Sequence, residues 1–345
     1  VKKLLLVVAA MFLSLSILTG CSSEASKKDS GPIVMVWYPN ESGEDLKSAR
    51  DEYSRIIEEA TGRKVEHRLT TDYVIAIETI ANGNAHIAYM GAQGYIEANK
   101  KNNKVLPLFV NSGSSGTLDD AVYYSWLAVK KGNEDQYRNG SAFSIDNIEG
   151  KRFSFVSNNS TSGFRVPSAG IVNHFSQKDK WKNLQAEDLL EGGRNKLLSE
   201  VLYGGSHQGT TVNLLTDKAD IASFCDTCVA NYIEHASGTP NRPGAVYRIR
   251  QDADAPFTNL KGEEFVLISV TPVLNPPFVT NTDVLDEETQ KALIAAFTSD
   301  EVKNNERIFV PKDSSFKGLF QKSSGNERFL DVKDEWFNPV RELSN

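Results

Sequence analysis

Between residues 33 and 101 short apolar runs alternate with amphipathic stretches, and this order restricts the architecture more than any other feature. Residues 33–38 are apolar and β-branched and lie between Gly31-Pro32 and Pro39-Asn40, which predicts a buried first strand. Residues 45–61 place Leu46, Ala49, Tyr53, Ile56, Ile57 and Ala60 on one helical face, and Gly62 stops the pattern. A strand at 65–69, a helix at 73–82, a strand at 86–90 and a helix at 94–101 follow. The βαβαβα order predicts an α/β architecture with a largely parallel sheet, in which ligands gather at the carboxyl ends of the strands.

Two further strands are expected at 105–110 and 123–129, separated by a Gly/Ser-rich stretch at 111–117. A second series begins at 153–156, with helices near 167–176 and 193–202 and a strand at 221–224, so a second α/β lobe is the natural reading. A strand at 265–270 and an amphipathic helix at 285–298 complete the pattern.

Ahead of the first strand, Lys2 and Lys3 precede an apolar run over 4–17 that ends in Leu18-Thr19-Gly20-Cys21. This is the layout of a cleaved export signal over 1–20, and Cys21 resembles the lipid-acceptor cysteine of bacterial lipoproteins. Diacylglycerol there would hold the protein, extracytoplasmic, on a bacterial cell membrane without spanning it. The polar, Ser- and Lys-containing segment 21–31 reads as a flexible tether.

About 310 residues remain, with 24% charged and a net charge of −7 over the whole chain. The absence of a long Lys/Arg run argues against a nucleic-acid partner. An anionic ligand stays compatible, because a buried site is decided by the few groups that point into it. Of three cysteines, setting Cys21 aside leaves Cys225 and Cys228 as a pair, open to a structural bridge outside the cytoplasm or to redox cycling. No histidine spacing completes a metal site with them, and no cofactor is expected.

The sharpest local feature is Asn159-Ser160-Thr161-Ser162-Gly163-Phe164, between the strand at 153–156 and the following helix. Helix-start amides and the positive dipole end stabilise an anion without a formal charge, and three hydroxyls add donors. The alternative is that Ser160 or Thr161 simply caps the helix. Gly204-Gly205-Ser206-His207 places a histidine at a second turn, and Tyr73 begins a helix in the first lobe.

With Thr71-Asp72-Tyr73, Ile87-Ala88-Tyr89-Met90-Gly91, the hydroxyl turn through Val166-Pro167 and Gly205-Ser206-His207 in order, the chain resembles the phosphonate-binding branch of the periplasmic solute-binding proteins. The resemblance implies a two-lobed type II fold with two crossover strands and an interlobe cleft. The first lobe is expected over 32–125 plus 270–345 and the second over 126–269. It also implies a monomer that delivers ligand to an ABC permease and ATPase and has no catalytic residues. By the same resemblance Ser160, Thr161, Ser162 and Gly163 would grip the oxyanion, and Tyr73 and His207 would donate to it.

The family's aminoalkyl-phosphonate binders pair the ligand ammonium with two carboxylates. One falls near Asp226, and the other falls at Asn275-Pro276-Pro277, where no carboxylate stands. Met90 takes the place of a second family tyrosine, with Tyr89 expected on the opposite face. These departures point to phosphite, an alkylphosphonate or phosphate, with Asp226 accepting from a protonated oxygen. The rival reading is a thiol–disulfide oxidoreductase using Cys225 and Cys228. A hydrolase lacks a Gly-x-Ser-x-Gly elbow.

Overall fold

The structure, a computed structural model, describes residues 31–343 of the 345-residue chain. The expected export signal, Cys21 and all of the tether but Gly31 lie outside the described residues. No helix among the described residues is long and apolar enough to cross a membrane.

Two mixed sheets form the frame. In the first, Ile33–Trp37 lies between Val65–Leu69 and Ile87–Tyr89 and runs parallel to both. Next to Ile87–Tyr89, the strand Pro277–Asn281 returns antiparallel, followed outward by Val105–Asn111 and the edge strand Phe329–Asp331. The apolar run at 33–37 is buried on both faces because helices cover both sides. Lys47–Thr61 sets Tyr53, Ile56 and Ile57 against Trp37, Phe109 and Phe278 on one side. On the other, Tyr73–Ala81 and Ala92–Lys101 bring Ile77, Ile80, Tyr95 and Ile96 against Val36, Val105 and Val279. Each such side chain contributes roughly 1.5–3 kcal/mol of burial, so the two layers carry this lobe. Gly62 ends the first helix at φ 69°, a conformation that costs little without a Cβ.

The second sheet runs Ile233–Ser237, Val246–Ile249, Glu264–Leu274, Val122–Lys130, Ile221–Cys225, Arg152–Phe155, Glu200–Tyr203. Val122–Lys130 and Glu264–Leu274 pair antiparallel from Lys130 with Phe265 to Val122 with Leu274, so the two connections between the sheets run side by side. Asn275 fastens them: its backbone N–H donates to the Ala121 carbonyl (3.0 Å) and its Nδ2 to the Asn111 carbonyl (2.8 Å).

The helix expected near 193–202 is not formed. Asn195 has φ 70°, and Glu200–Tyr203 is instead an edge strand parallel to Arg152–Phe155. Pairing of Val201 with Phe153 and of Leu202 with Ser154 satisfies the backbone there in place of a helix. The strand expected at 265–270 extends to Leu274, through the crossover.

Candidate functional site

A small cavity of about 50 Å³ lies between the two sheets, and four helical segments begin at its wall. Tyr73 and His207 are the first residues of their helices, Gly91 caps the helix Ala92–Lys101, and Ser160 caps the turn Thr161–Arg165. Initial amides of a helix lack intrahelical acceptors, so the cavity collects the positive ends of several dipoles. Its described lining contains no Lys or Arg.

Thr161–Arg165 is a π-helical turn that leads into the helix Val166–Phe175. Ser160 caps it, with Oγ accepting from the Gly163 N–H at 3.1 Å. Ser160 thus caps the turn, as one reading had it, and also lines the cavity. The turn's carbonyls are tied into the lobe, that of Ser162 by the Ser125 hydroxyl (2.7 Å) and that of Gly163 by the Ser223 hydroxyl (2.8 Å). Gly163 itself stands off the cavity wall with its amide spent on Ser160. A Cβ there would lie 2.3 Å from Val156 Cγ2, so glycine serves the close approach of turn and strand.

Thr161 reaches the other lobe. Its Oγ1 accepts from the Gln93 N–H at 2.9 Å, and a Cβ on Gly91 would come within 2.6 Å of that oxygen. A second interlobe contact uses Asn40, whose Oδ1 accepts from the His207 N–H (3.1 Å) while its Nδ2 donates to the Tyr73 hydroxyl (2.7 Å). Tyr73 packs against Tyr38 with ring centroids 4.1 Å apart and the rings tilted by 31°, and burial holds its phenol well above the ordinary range. Its O–H proton therefore stays on as a donor.

His207 is 3% exposed, and its Nδ1 accepts from the Cys225 N–H at 3.0 Å. Burial lowers its pKa to about 3, so the ring is neutral and carries its proton on Nε2. Cys225 and Cys228 form a disulfide across the turn that begins the short helix Asp226–Val229. His207, Cys225 and Cys228 place one ligand atom each within 4.8 Å of one another. Disulfide sulfurs are not thiolates, so only the imidazole of that group could ligate a metal.

Tyr73, Met90, Ser160, Thr161, Ser162 and His207 all line the cavity; Gly163 and Asp226 do not. Asp226 turns to a separate depression beside Trp126 and Tyr247, accepts from the Tyr124 N–H at 2.9 Å, and is pushed up to about 6 by burial. The strand ends at Cys225 and a helix starts, so the next residue, Thr227, faces the cavity instead. Tyr89 and Met90 pack on opposite faces of the sheet, as expected, Tyr89 with Trp37 and Phe278 and Met90 with Val36 and Val279, and at the strand's end both also reach the cavity. Sequence reasoning missed Asn40, Glu41, Tyr123 and Tyr232 in the wall. Asn40 and Glu41 follow the carboxyl end of the first strand, which is where the α/β rule places ligands, and that signal was available.

The family model for the periplasmic substrate-binding protein of phosphonate ABC transporters matches residues 35–335. This chain belongs to that family. A phosphate-import protein, PhnD, of Mycolicibacterium smegmatis is 26% identical over 200 residues, which is 57% of this chain and 56% of that relative's length. The match thus spans little more than half of the relative. A binding-protein component of an ABC phosphonate transporter from Pseudomonas aeruginosa superposes with a TM-score of 0.61 at 18% identity, covering 91% of this chain and 86% of that one. PhnD1 of Prochlorococcus marinus, solved with methylphosphonate, gives 0.62 at 15% identity, over 91% of this chain and 97% of the other. This family member therefore has the two-lobed type II periplasmic-binding-protein fold, with an interlobe cleft and two crossover strands. Its relatives lend nothing to the oxidoreductase alternative.

Proposed function

We propose that the chain is the extracytoplasmic solute-binding component of an ABC importer and captures a phosphonate-like oxyanion, whether phosphonate, phosphite or phosphate, between its lobes. The observation that carries this reading is the convergence of helix starts and neutral donors on one small cavity without a lining cation. Hydroxyls of Ser160, Thr161, Ser162 and Tyr73 and the Nε2–H of His207 would replace water around the anion. Met90 supplies an apolar wall beside them. Donors of this kind contribute about 1.5–3 kcal/mol each to a charged partner, and a micromolar Kd requires about 8 kcal/mol, so a handful suffices.

The lobes, taken as 32–125 plus 270–345 and 126–269, close because an anion touching both favours the closed state. No bond is made or broken. The permease and ATPase are separate chains, and Cys21 would carry the lipid that keeps the monomer at the membrane. The matching segment of the mycobacterial relative and the methylphosphonate-bound neighbour support a phosphorus oxyanion in particular.

Calorimetric titration with phosphite, methylphosphonate, 2-aminoethylphosphonate, phosphate and sulfate tests the reading. Tight binding of one phosphorus oxyanion with little response to sulfate is expected. Silence across the panel would refute it.

A further inference from the structure

Glu41 is the only carboxyl among the described residues lining the cavity. It closes the turn Pro39–Glu41 after the first strand and is 8% exposed. Arg50, its nearest cation, donates to its backbone carbonyl at 2.5 Å, while carboxyl Oε2 is buried without a hydrogen-bond partner. The phenols of Tyr38, Tyr73, Tyr89 and Tyr123 face it from four separate strand and helix ends, and its charge helps to keep their protons on. The imidazole of His207 shares the same wall and is neutral.

A buried carboxylate with a free oxygen is costly, and beside an oxyanion it becomes more so unless a proton lies between them. We propose that Glu41 and a ligand oxygen share one proton in the closed complex. This rests on reading the cavity as an oxyanion site, and it names the ligand class further: a phosphorus oxyanion with an oxygen that is protonable near neutral pH. Two fillings give the same complex. Either a protonated Glu41 donates to the dianion, or the Glu41 carboxylate accepts from the P–OH of the monoanion. Burial pushes the carboxyl up to about 8, so both routes are open around neutrality.

When the free carboxyl and the free ligand are both protonated, binding releases one proton. When both are ionised, binding takes one up, and affinity then falls tenfold per pH unit.

Titration of the purified protein with methylphosphonate and with phosphate at pH 9, in two buffers of different ionisation enthalpy, counts that proton directly. Close to one proton taken up per ligand is expected in the wild type, and none in Glu41→Gln, whose amide still has a donor and an acceptor. The wild-type count stands by itself if the variant folds poorly. Binding without uptake, or uptake that persists in E41Q, would overturn the proposal alone. A preference for 2-aminoethylphosphonate over methylphosphonate that vanishes in E41Q would also overturn it, assigning the carboxylate to an ammonium. If no phosphorus oxyanion bound the wild type at any pH, the parent reading would fall and this proposal with it.

Discussion

The Nδ1 atom of His207 accepts the backbone hydrogen of Cys225 at 3.0 Å, so a disulfide-braced turn selects the tautomer that carries its proton on Nε2, on a side chain that lines the cavity. Replacing His207 by Ala removes that donor and also strands the Cys225 amide. Affinity for the bound oxyanion is expected to fall roughly ten- to hundredfold, the equivalent of one hydrogen bond to a charged partner. Because burial lowers the ring's pKa to about 3, its NMR resonances should show the Nε2–H form and no titration from pH 5 to 8. A midpoint near 6.5 would refute the assignment.

Gly91 lies where the lobes come closest. An added methyl would sit 2.6 Å from Thr161 Oγ1 and 3.5 Å from its Cβ, against groups held in place by the Gln93 contact. Gly91→Ala should therefore favour the open form, weakening binding at least tenfold while thermal stability changes little. Small-angle scattering with saturating ligand would read this as a larger radius of gyration than the liganded wild type; an unchanged radius and affinity would refute it.

Asp226 accepts from the Tyr124 amide outside the cavity. Asp226→Asn is expected to leave oxyanion affinity within about twofold, whereas Thr227→Glu, one residue on, would put a new negative charge in the wall and abolish binding of a dianion. Equal sensitivity at the two positions, measured by calorimetry, would contradict the observed register.

The pH dependence of unliganded stability carries a signature of Glu41. Its carboxyl sits at about 8 when folded, above the usual 4.5, chiefly because of burial. The folded state thus holds a proton that the unfolded chain has lost. Stability from this group is complete below about 4.5 and declines as pH rises through 8. Thermal melts of the wild type and E41Q should diverge over that window, the wild type losing up to about 1.4 kcal/mol per pH unit relative to the variant. Parallel curves would show that Glu41 titrates normally.

Much of the frame was legible because strand and helix periods are strong where an element is buried on known faces. The run at 33–37 and the helix Lys47–Thr61 are cases of this. At 193–202 the same apolar residues fit either period, and only the neighbouring strand Arg152–Phe155 decides between them. The hydroxyl turn was legible as a local strand-to-helix turn, and its Ser160, Thr161 and Ser162 do line the cavity. Asp226 was not, because a switch from strand to helix at Cys225 changes which side chain faces inward, and periodicity does not carry across such a switch. Asn40 and Gln93 act through contacts between lobes, the former with residue 207 and the latter with residue 161, which no local pattern encodes.

The hydrogen bond from the Gln93 amide to Thr161 Oγ1 occupies an acceptor site on that hydroxyl and leaves its proton free for a ligand. That amide belongs to the opposite lobe, so the hydroxyl is oriented as a donor only once the trap has shut. Early encounters with the open protein would then be nearly indiscriminate, and different anions would arrive at similar rates. Discrimination would be a matter of residence time: a well-matched anion keeps the lobes together, and a poor one escapes before the donor is aimed.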